Sequence, residues 1–361
     1  MKKNKKSNEF LEKYLNAKSP TGMEMEGQAI WIDYIKQFVD EVDTDVYGSA
    51  WGIINPGKDY KVVIEAHADE IGWTVNHIDD NGFISVVRNG GSDHHIAPGM
   101  KVQILGEDGV VAGHFGWPAI HERKGEGAVQ PEPNTLFVDV EANSKEEVEE
   151  MGIFVGTPMV YDTSFEERKG KYISRALDNR IGGYMIAQVA RKLQKANVEL
   201  PFSLYIVNAV QEEIGLVGAE MVANRIKPDV AIITDVCHDT HTPHLNAKLA
   251  GDTKSGKGPV VFRGADIQLN LHKQILNVAK ENEIEFQRGT YNGNSGTDTK
   301  AFYKSNGGVA CQLISLPLKY MHTSVETVQI TDVDSVIELI YYSLLSIEDG
   351  QDFRYHKSII K

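Results

Sequence analysis

Five side chains of metal-binding type stand just past the ends of apolar, strand-like runs. They are His67 after KVVIEA, Asp178 in ISRALDNR, Glu213 after FSLYIVNAVQE, Asp235 after VAIIT and His322 after CQLISLPLKYM. In an open α/β sheet, ligands bind outside the carboxyl ends of the strands, so these residues are expected to converge on one rim. Three carboxylates and two imidazoles are the inventory for two divalent metals sharing a bridging carboxylate. Glu212, beside Glu213, is left over. A spare carboxylate next to a metal-activated water is a general base, so the residues read first as a two-metal hydrolase.

Each position alone has an ordinary explanation. HADEIG at 67–72 could be a charged strand end at a surface turn, and an aspartate opening a helix, as at Asp178, is a common cap. His322 could be a loop residue. Yet Asp69 falls on the same side of an extended strand as His67 and could fix that ring through its second nitrogen. The adjacent Glu212 and Glu213 repel each other at a sheet rim unless a cation is present. Joint placement and order carry more than any single motif.

The elements that must hold these residues alternate between helix and strand. Residues 7–17 read as a short amphipathic helix, and 24–40 as a second with Ile30, Ile32, Ile35 and Phe38 apolar. Strand-like runs follow near 43–47, 51–54 and 61–67. From about 73 to 170 the chain changes to short extended runs such as FISVV, KVQIL and VVAGHF, broken by DDNG, NGG, PG and EDG; this spacing suggests a small β-barrel or sandwich. SKEEVEEM at 144–151 is one brief helix, with Ser144 as cap and Glu147 three residues on. A helix from Asp178 presents Tyr184, Ile186, Val189, Ala190 and Leu193 to a core. Then come strand 202–210, helix 216–225, strand 230–236, helix 266–282, strand 309–316 and helix 332–347. The β-rich segment is an insertion in an α/β domain.

At 361 residues the chain is long for one domain. Its 41% hydrophobic and 24% charged content are ordinary for a globular protein. A net charge of −14 disfavours nucleic acid and anionic membranes as partners. Two cysteines, Cys237 and Cys311, make no disulfide framework and suit a reducing compartment. Cys237, close to Asp235, reads as a buried bystander. The basic N-terminus is followed by no apolar stretch, so it does not read as a signal peptide. No run is long enough to span a membrane. A cytoplasmic location is expected.

The ordered set SPTG (19–22), HADEIG (67–72), ALDNR (176–180), QEEIGLVGA (211–219), TDV (234–236), GTDT (296–299) and KYMHTSVE (319–326) resembles the M42 family of metallo-aminopeptidases. That family includes tetrahedral aminopeptidases and bacterial glutamyl-type aminopeptidases. The resemblance covers nearly the whole chain. It implies an α/β fold with a central mixed sheet flanked by helices, as in zinc peptidases. The catalytic domain would comprise 1–72 and 171–361, and 73–170 would be an inserted small β-barrel domain used for dimerisation. It also implies roles. Asp178 would bridge two metals, His67 and Asp235 would complete one site, and Glu213 and His322 the other. Glu212 would be the general base and Asp69 the support of His67. Two positions depart from the family pattern: Thr299 and Lys300 follow Asp298 where a small residue is usual, and Leu318-Lys319 replaces an arginine. Both lie near the expected substrate pocket and bear on specificity.

The implied chemistry is removal of N-terminal residues from short peptides. Two cations about 3.5–4 Å apart acidify a shared water and polarise the scissile carbonyl, while Glu212 moves the proton. Zinc or cobalt suits the mixed imidazole and carboxylate set. Dimers would build a hollow dodecamer. Arg123, Lys124, Arg263, Arg288 and Lys319 are the cations available to an acidic side chain in the pocket. An M20-like carboxypeptidase or deacylase shares the ligand order, but there the extra domain follows the later ligands. A glycosidase needs a carboxylate pair and no histidines. A non-catalytic scaffold would have lost a ligand or the base, and all six positions are filled.

Overall fold

The computed structural model describes residues 5–123, 129–356 and 359. Helices α1 (Lys5–Asn16) and α2 (Met25–Ile35) open the chain, followed by β1 (Glu41–Thr44), β2 (Ala50–Ile54) and β3 (Lys61–His67). The second helix stops at Ile35 and not at 40. The Asp40 amide donates to the Ile53 carbonyl instead of to the helix, drawing the chain into the β1–β2 hairpin.

The next strands are β4 (Gly72–Ile78), β5 (Ile84–Asn89), β6 (Lys101–Gly106), β7 (Gly109–Phe115), β8 (Phe137–Asp139) and β9 (Pro158–Tyr161), with α3 (Lys145–Glu150) between the last two. They close into a six-stranded antiparallel barrel in the order β4-β5-β8-β7-β6-β9. Trp73, Val75, Ile84, Val86, Val102, Ile104, Phe115 and Val138 fill its interior. In β5, Ile84 and Val86 are buried while Ser85 and Val87 are exposed, the alternation expected when one face meets a core. Ser144 caps α3 by accepting the Glu147 amide at 3.3 Å.

The remaining elements are β10 (Glu166–Arg168), β11 (Lys171–Ser174), α4 (Leu177–Lys195), β12 (Ser203–Ala209), α5 (Val217–Ile226), β13 (Val230–His238), α6 (Ala247–Ala250), β14 (Val260–Arg263), α7 (Leu269–Glu281), β15 (Gln287–Thr290), α8 (Thr299–Tyr303), β16 (Ala310–Lys319), β17 (Glu326–Gln329) and α9 (Ile330–Leu345). Eleven strands form one mixed sheet in the order β1-β2-β12-β3-β13-β16-β17-β11-β10, with β14 and β15 branching from β16. Its centre, β12-β3-β13-β16, is parallel. These strands are buried on both faces, hence their unbroken runs of Val, Ile and Leu. The architecture is thus the expected one: a mixed sheet between helices, interrupted by a small barrel.

Helix α4 crosses β3 and is buried along almost its whole length. A Cβ at Gly182 would lie 2.8 Å from the Ala66 Cβ, so only glycine lets helix and strand approach this closely. Behind the crossing, Glu70 is buried against both Arg175 and Arg180. Arg180 also donates to the Tyr14 and Ala17 carbonyls, tying the end of α1 to the start of α4. The segment that carries Asp178 lies between these two arginines.

Candidate metal centre

The parallel strands end on one rim. His67 is the last residue of β3 and pairs with Ala209 at the end of β12. Ile233 of β13 pairs with Glu65, so two residues further along Asp235 is level with His67. Asp235 follows the apolar run VAIIT and falls within the expected strand 230–236. It lies inside β13, which continues to His238 because β16 stays paired with it that far. Glu212 and Glu213 occupy the connection from β12 to α5, and His322 the turn between β16 and β17. The residue at the cap of α4 is Ala176, and Asp178, with φ −80° and ψ 105°, departs from helical geometry just after it. Its carboxylate points into the site.

All seven side chains singled out in the sequence come together. The His67 Nε2 lies 3.2 Å from Asp178 Oδ1, 3.9 Å from Asp235 Oδ1 and 3.9 Å from Glu212 Oε2. The His322 Nε2 lies 3.3 Å from Asp178 Oδ2 and 3.4 Å from Glu213 Oε1. The two oxygens of Asp178 therefore face different histidines. Three overlapping groups have donor atoms within 4.8 Å of one another: His67–Asp178–Asp235, Asp178–Glu213–His322 and His67–Glu212–Glu213. Oxygen and imidazole donors at this spacing fit divalent ions of the zinc type.

Backbone supports hold the set in place. Asp69, fully buried, faces the His67 Nδ1 at 3.3 Å. Its carboxylate also accepts the amides of Glu212 at 3.0 Å and Glu213 at 3.1 Å and the Thr21 hydroxyl at 2.8 Å. Glu24 accepts the Gln211 amide at 3.2 Å. On the other side the His322 Nδ1 meets the carbonyl of Gly91, a barrel residue, at 3.2 Å. Four non-glycine residues near the ligands have positive φ: Ala176 (55°), Gln211 (58°), Tyr320 (62°) and His322 (62°). Strain of this kind persists only where the surroundings over-determine it, and it clusters at functional sites.

The electrostatics show how poorly the set fits without cations. Burial and the neighbouring Asp298, Asp235 and Glu213, opposed by His67, push the Glu212 carboxyl up to about 10. Burial pushes Asp235 up to about 7 and also raises Glu213. Burial would lower His322, but its bonds to Asp178 and Glu213 outweigh this and raise it to about 11. Burial likewise opposes protonation of His67, and the carboxylates of Glu212, Asp178 and Asp69 overcome it. Burial would raise Asp178 as well, but its bonds to His322 and His67 lower it; raised carboxyls beside charged imidazoles are what crowded metal ligands become when protons stand in for metal.

The centre opens into a cavity of about 980 Å³. Arg263 and Arg288 line it, as does Lys300, which the sequence reading noted only as a departure from a pattern. None of the three forms an ion pair among the described residues. Lys319 is instead held by Asp239 at 3.5 Å, Arg123 does not line the cavity, and Lys124 lies outside the described residues. Cys237 lines the cavity half-buried and not fully buried as expected, and both cysteines are free. The sequence reading also missed Glu326, buried and bonded to the amides of Asp178 and His322. Its signal was a carboxylate four residues past His322.

The family model described as M42 glutamyl aminopeptidase matches residues 48–339. The lysyl aminopeptidase of Pyrococcus furiosus is 34% identical over 92% of this chain and 94% of its own. Among solved structures, the TET aminopeptidase of the Thaumarchaeota archaeon SCGC AB-539-E09 superposes with a TM-score of 0.90 at 28% identity, over 94% of this chain and 96% of that one. The TET1 peptidase of Pyrococcus horikoshii, described as able to assemble into a tetrahedron or a large octahedral shell, gives 0.82 at 28% identity, over 95% and 99%.

Proposed function

Since this chain belongs to the M42 glutamyl aminopeptidase family, we propose that it is a two-metal aminopeptidase acting on the N-terminal residues of short peptides. The observation that carries this reading is the Asp178 carboxylate, with one oxygen 3.2 Å from His67 and the other 3.3 Å from His322. In this reading Asp178 would be the ligand common to two divalent ions, zinc or cobalt, with His67 and Asp235 available to hold one and Glu213 and His322 the other. What the bound pair supplies is Lewis acidity toward the scissile carbonyl and a more acidic water. Glu212, lining the cavity without a hydrogen bond to either histidine, would be the group to accept a proton from the attacking water and to return it to the leaving amine. Asp69 sets the orientation of His67.

Arg263, Arg288 and Lys300 bring positive charge to the cavity lining and favour an acidic N-terminal side chain. The domain comprising 1–72 and 171–361 carries the chemistry. We assign self-association into dimers and then a dodecamer to the barrel segment, 73–170; the TET1 peptidase, for its part, is described as assembling into a tetrahedron or a large octahedral shell. Among the described residues no helix is long and apolar enough to cross a membrane, and two free thiols suit a cytoplasmic setting.

The test is a panel of fluorogenic aminoacyl substrates, each with an N-acetylated counterpart, assayed with zinc, with cobalt and with a strong chelator. The reading predicts hydrolysis of free-amine substrates only, abolished by chelator and fastest for glutamyl or aspartyl. Activity that survives the chelator, or equal cleavage of acetylated substrates, contradicts it.

A further inference from the structure

Resting on the two-metal reading but going beyond its ligands and base, we propose that Glu326 is a positioning residue that pre-forms the Asp178–Glu213–His322 half of the centre by capping two ligand amides at once. Glu326 is 2% exposed and is the first residue of β17. Its Oε2 accepts the backbone amide of Asp178 at 3.0 Å, and its Oε1 accepts that of His322 at 2.7 Å. Its own backbone is held from both sides. β17 pairs with β11, where Ser174 lies opposite Glu326, and with β16, where Lys319 lies opposite Thr327. From β11 the chain runs in four residues to Asp178, and from β16 in three to His322. Glu326 therefore stands at the fork where both ligand-bearing connections leave the sheet.

Both connections are bent through the left-handed region, at Ala176, Tyr320 and His322 itself. Such conformations cost free energy and must be held by something outside them. A carboxyl group whose two oxygens each accept one amide can hold both connections at once. Asp69 acts in a comparable way on residues of both halves, through the His67 ring and the amides of Glu212 and Glu213. Glutamine cannot replace Glu326: each oxygen accepts an N–H, and an amide nitrogen in either place would confront a donor.

The experiment compares wild type with Glu326→Gln and with Asp332→Asn. Asp332 is a second buried carboxylate that accepts two backbone amides, of Gly256 at 2.6 Å and Gly258 at 2.9 Å, but it touches no proposed ligand. Cation-free protein is titrated calorimetrically with zinc, and hydrogen exchange of the cation-free backbone is followed. Glu326→Gln should weaken one of two ions by about 10- to 100-fold and leave the other within roughly threefold. Amide protection should fall at 176–178 and 320–322, and kcat should recover at saturating zinc with KM unchanged. Asp332→Asn should lower Tm with neither ion affected. Unchanged affinities in Glu326→Gln, or equal weakening of both ions with a global loss of protection, would overturn the proposal. Wild type that binds fewer than two ions defeats the two-metal reading instead. The exchange of the cation-free proteins then decides the positioning role alone: protection lost at the two connections supports it, and protection kept there refutes it. If Glu326→Gln does not fold, Glu326→Asp, one methylene short of both amides, is measured by the same readouts and criteria.

Discussion

Replacing the two adjacent glutamates by glutamine, one at a time, separates their roles. The backbone amides of both are held by Asp69, at 3.0 and 3.1 Å, so neither substitution removes what shapes the loop. Glu213 faces His322 at 3.4 Å and belongs to the Asp178–Glu213–His322 group. Glu212 comes no nearer than 3.9 Å to His67. Burial and neighbouring carboxylates, against the opposing charge of His67, raise the Glu212 carboxyl to about 10 in the cation-free protein. It is therefore neutral at pH 7, and a neutral amide of equal size should cost the cation-free fold nothing. With cations bound, Glu212→Gln should retain both ions and lose kcat by roughly 10²–10⁴. At about 1.36 kcal/mol per decade, that is about 2.7–5.4 kcal/mol of transition-state stabilisation. Glu213→Gln removes one of three donors from its group, so it should lose metal, with activity partly restored by excess zinc. The assay is metal content beside kcat for both variants. Metal loss in Glu212→Gln with retention in Glu213→Gln reverses the assignment, and full activity in both refutes the two-metal reasoning.

Other outcomes follow from the same geometry. A Cβ at Gly91 would sit 2.5 Å from the His322 Nδ1, so Gly91→Ala should displace that ring and weaken zinc by about 10- to 100-fold; a calorimetric affinity equal to wild type contradicts this. Glu70→Gln leaves Arg175 and Arg180 buried without their carboxylate and should cost about 3–5 kcal/mol in urea unfolding; a loss below about 1 kcal/mol would show the pair to be dispensable. His322, raised to about 11 by Asp178 and Glu213 against the opposing effect of burial, holds its proton at neutral pH in the cation-free protein. That proton favours the fold fully below the unfolded value near 6.5, and the contribution disappears as pH rises through about 11. Zinc must expel the proton, so affinity should rise with pH from neutrality upward, with proton release visible in buffers of different ionisation enthalpy; a pH-independent affinity contradicts this. Lys300→Ala should raise KM for glutamyl substrates while leaving alanyl substrates unchanged, and an equal effect on both would remove Lys300 from specificity.

The central strands were legible because a parallel strand buried on both faces is written as an unbroken apolar run. KVVIEAH and SLYIVNA sit almost where the sequence put them. The ligand types were legible for a related reason: a carboxylate or histidine directly after such a run is costly unless it has work to do. The exact strand ends were not. The strand holding Asp235 was expected to stop at 236, soon after polar character begins, yet pairing with β16 carries β13 on to His238. Short elements such as β14, β15 and β17, of four residues each, hold too few residues to display a period and depend on partners distant in sequence. Glu326 went unassigned because its bonds go to backbone amides of residues 148 and 4 positions away. No side-chain pattern records such bonds. The cationic lining was half legible: Arg263 and Arg288 were named among the candidate pocket cations, but only the folded cavity separates them from Lys319 and adds Lys300.

The most direct test of the account is the metal content of reconstituted protein. Cation-free chain is loaded with zinc, freed of excess and analysed for zinc and protein together, with wild type beside His67→Ala and His322→Ala. The division of ligands about Asp178 predicts two ions per chain in wild type, with each variant impaired at a different one. One ion per chain in wild type, or none, would contradict it.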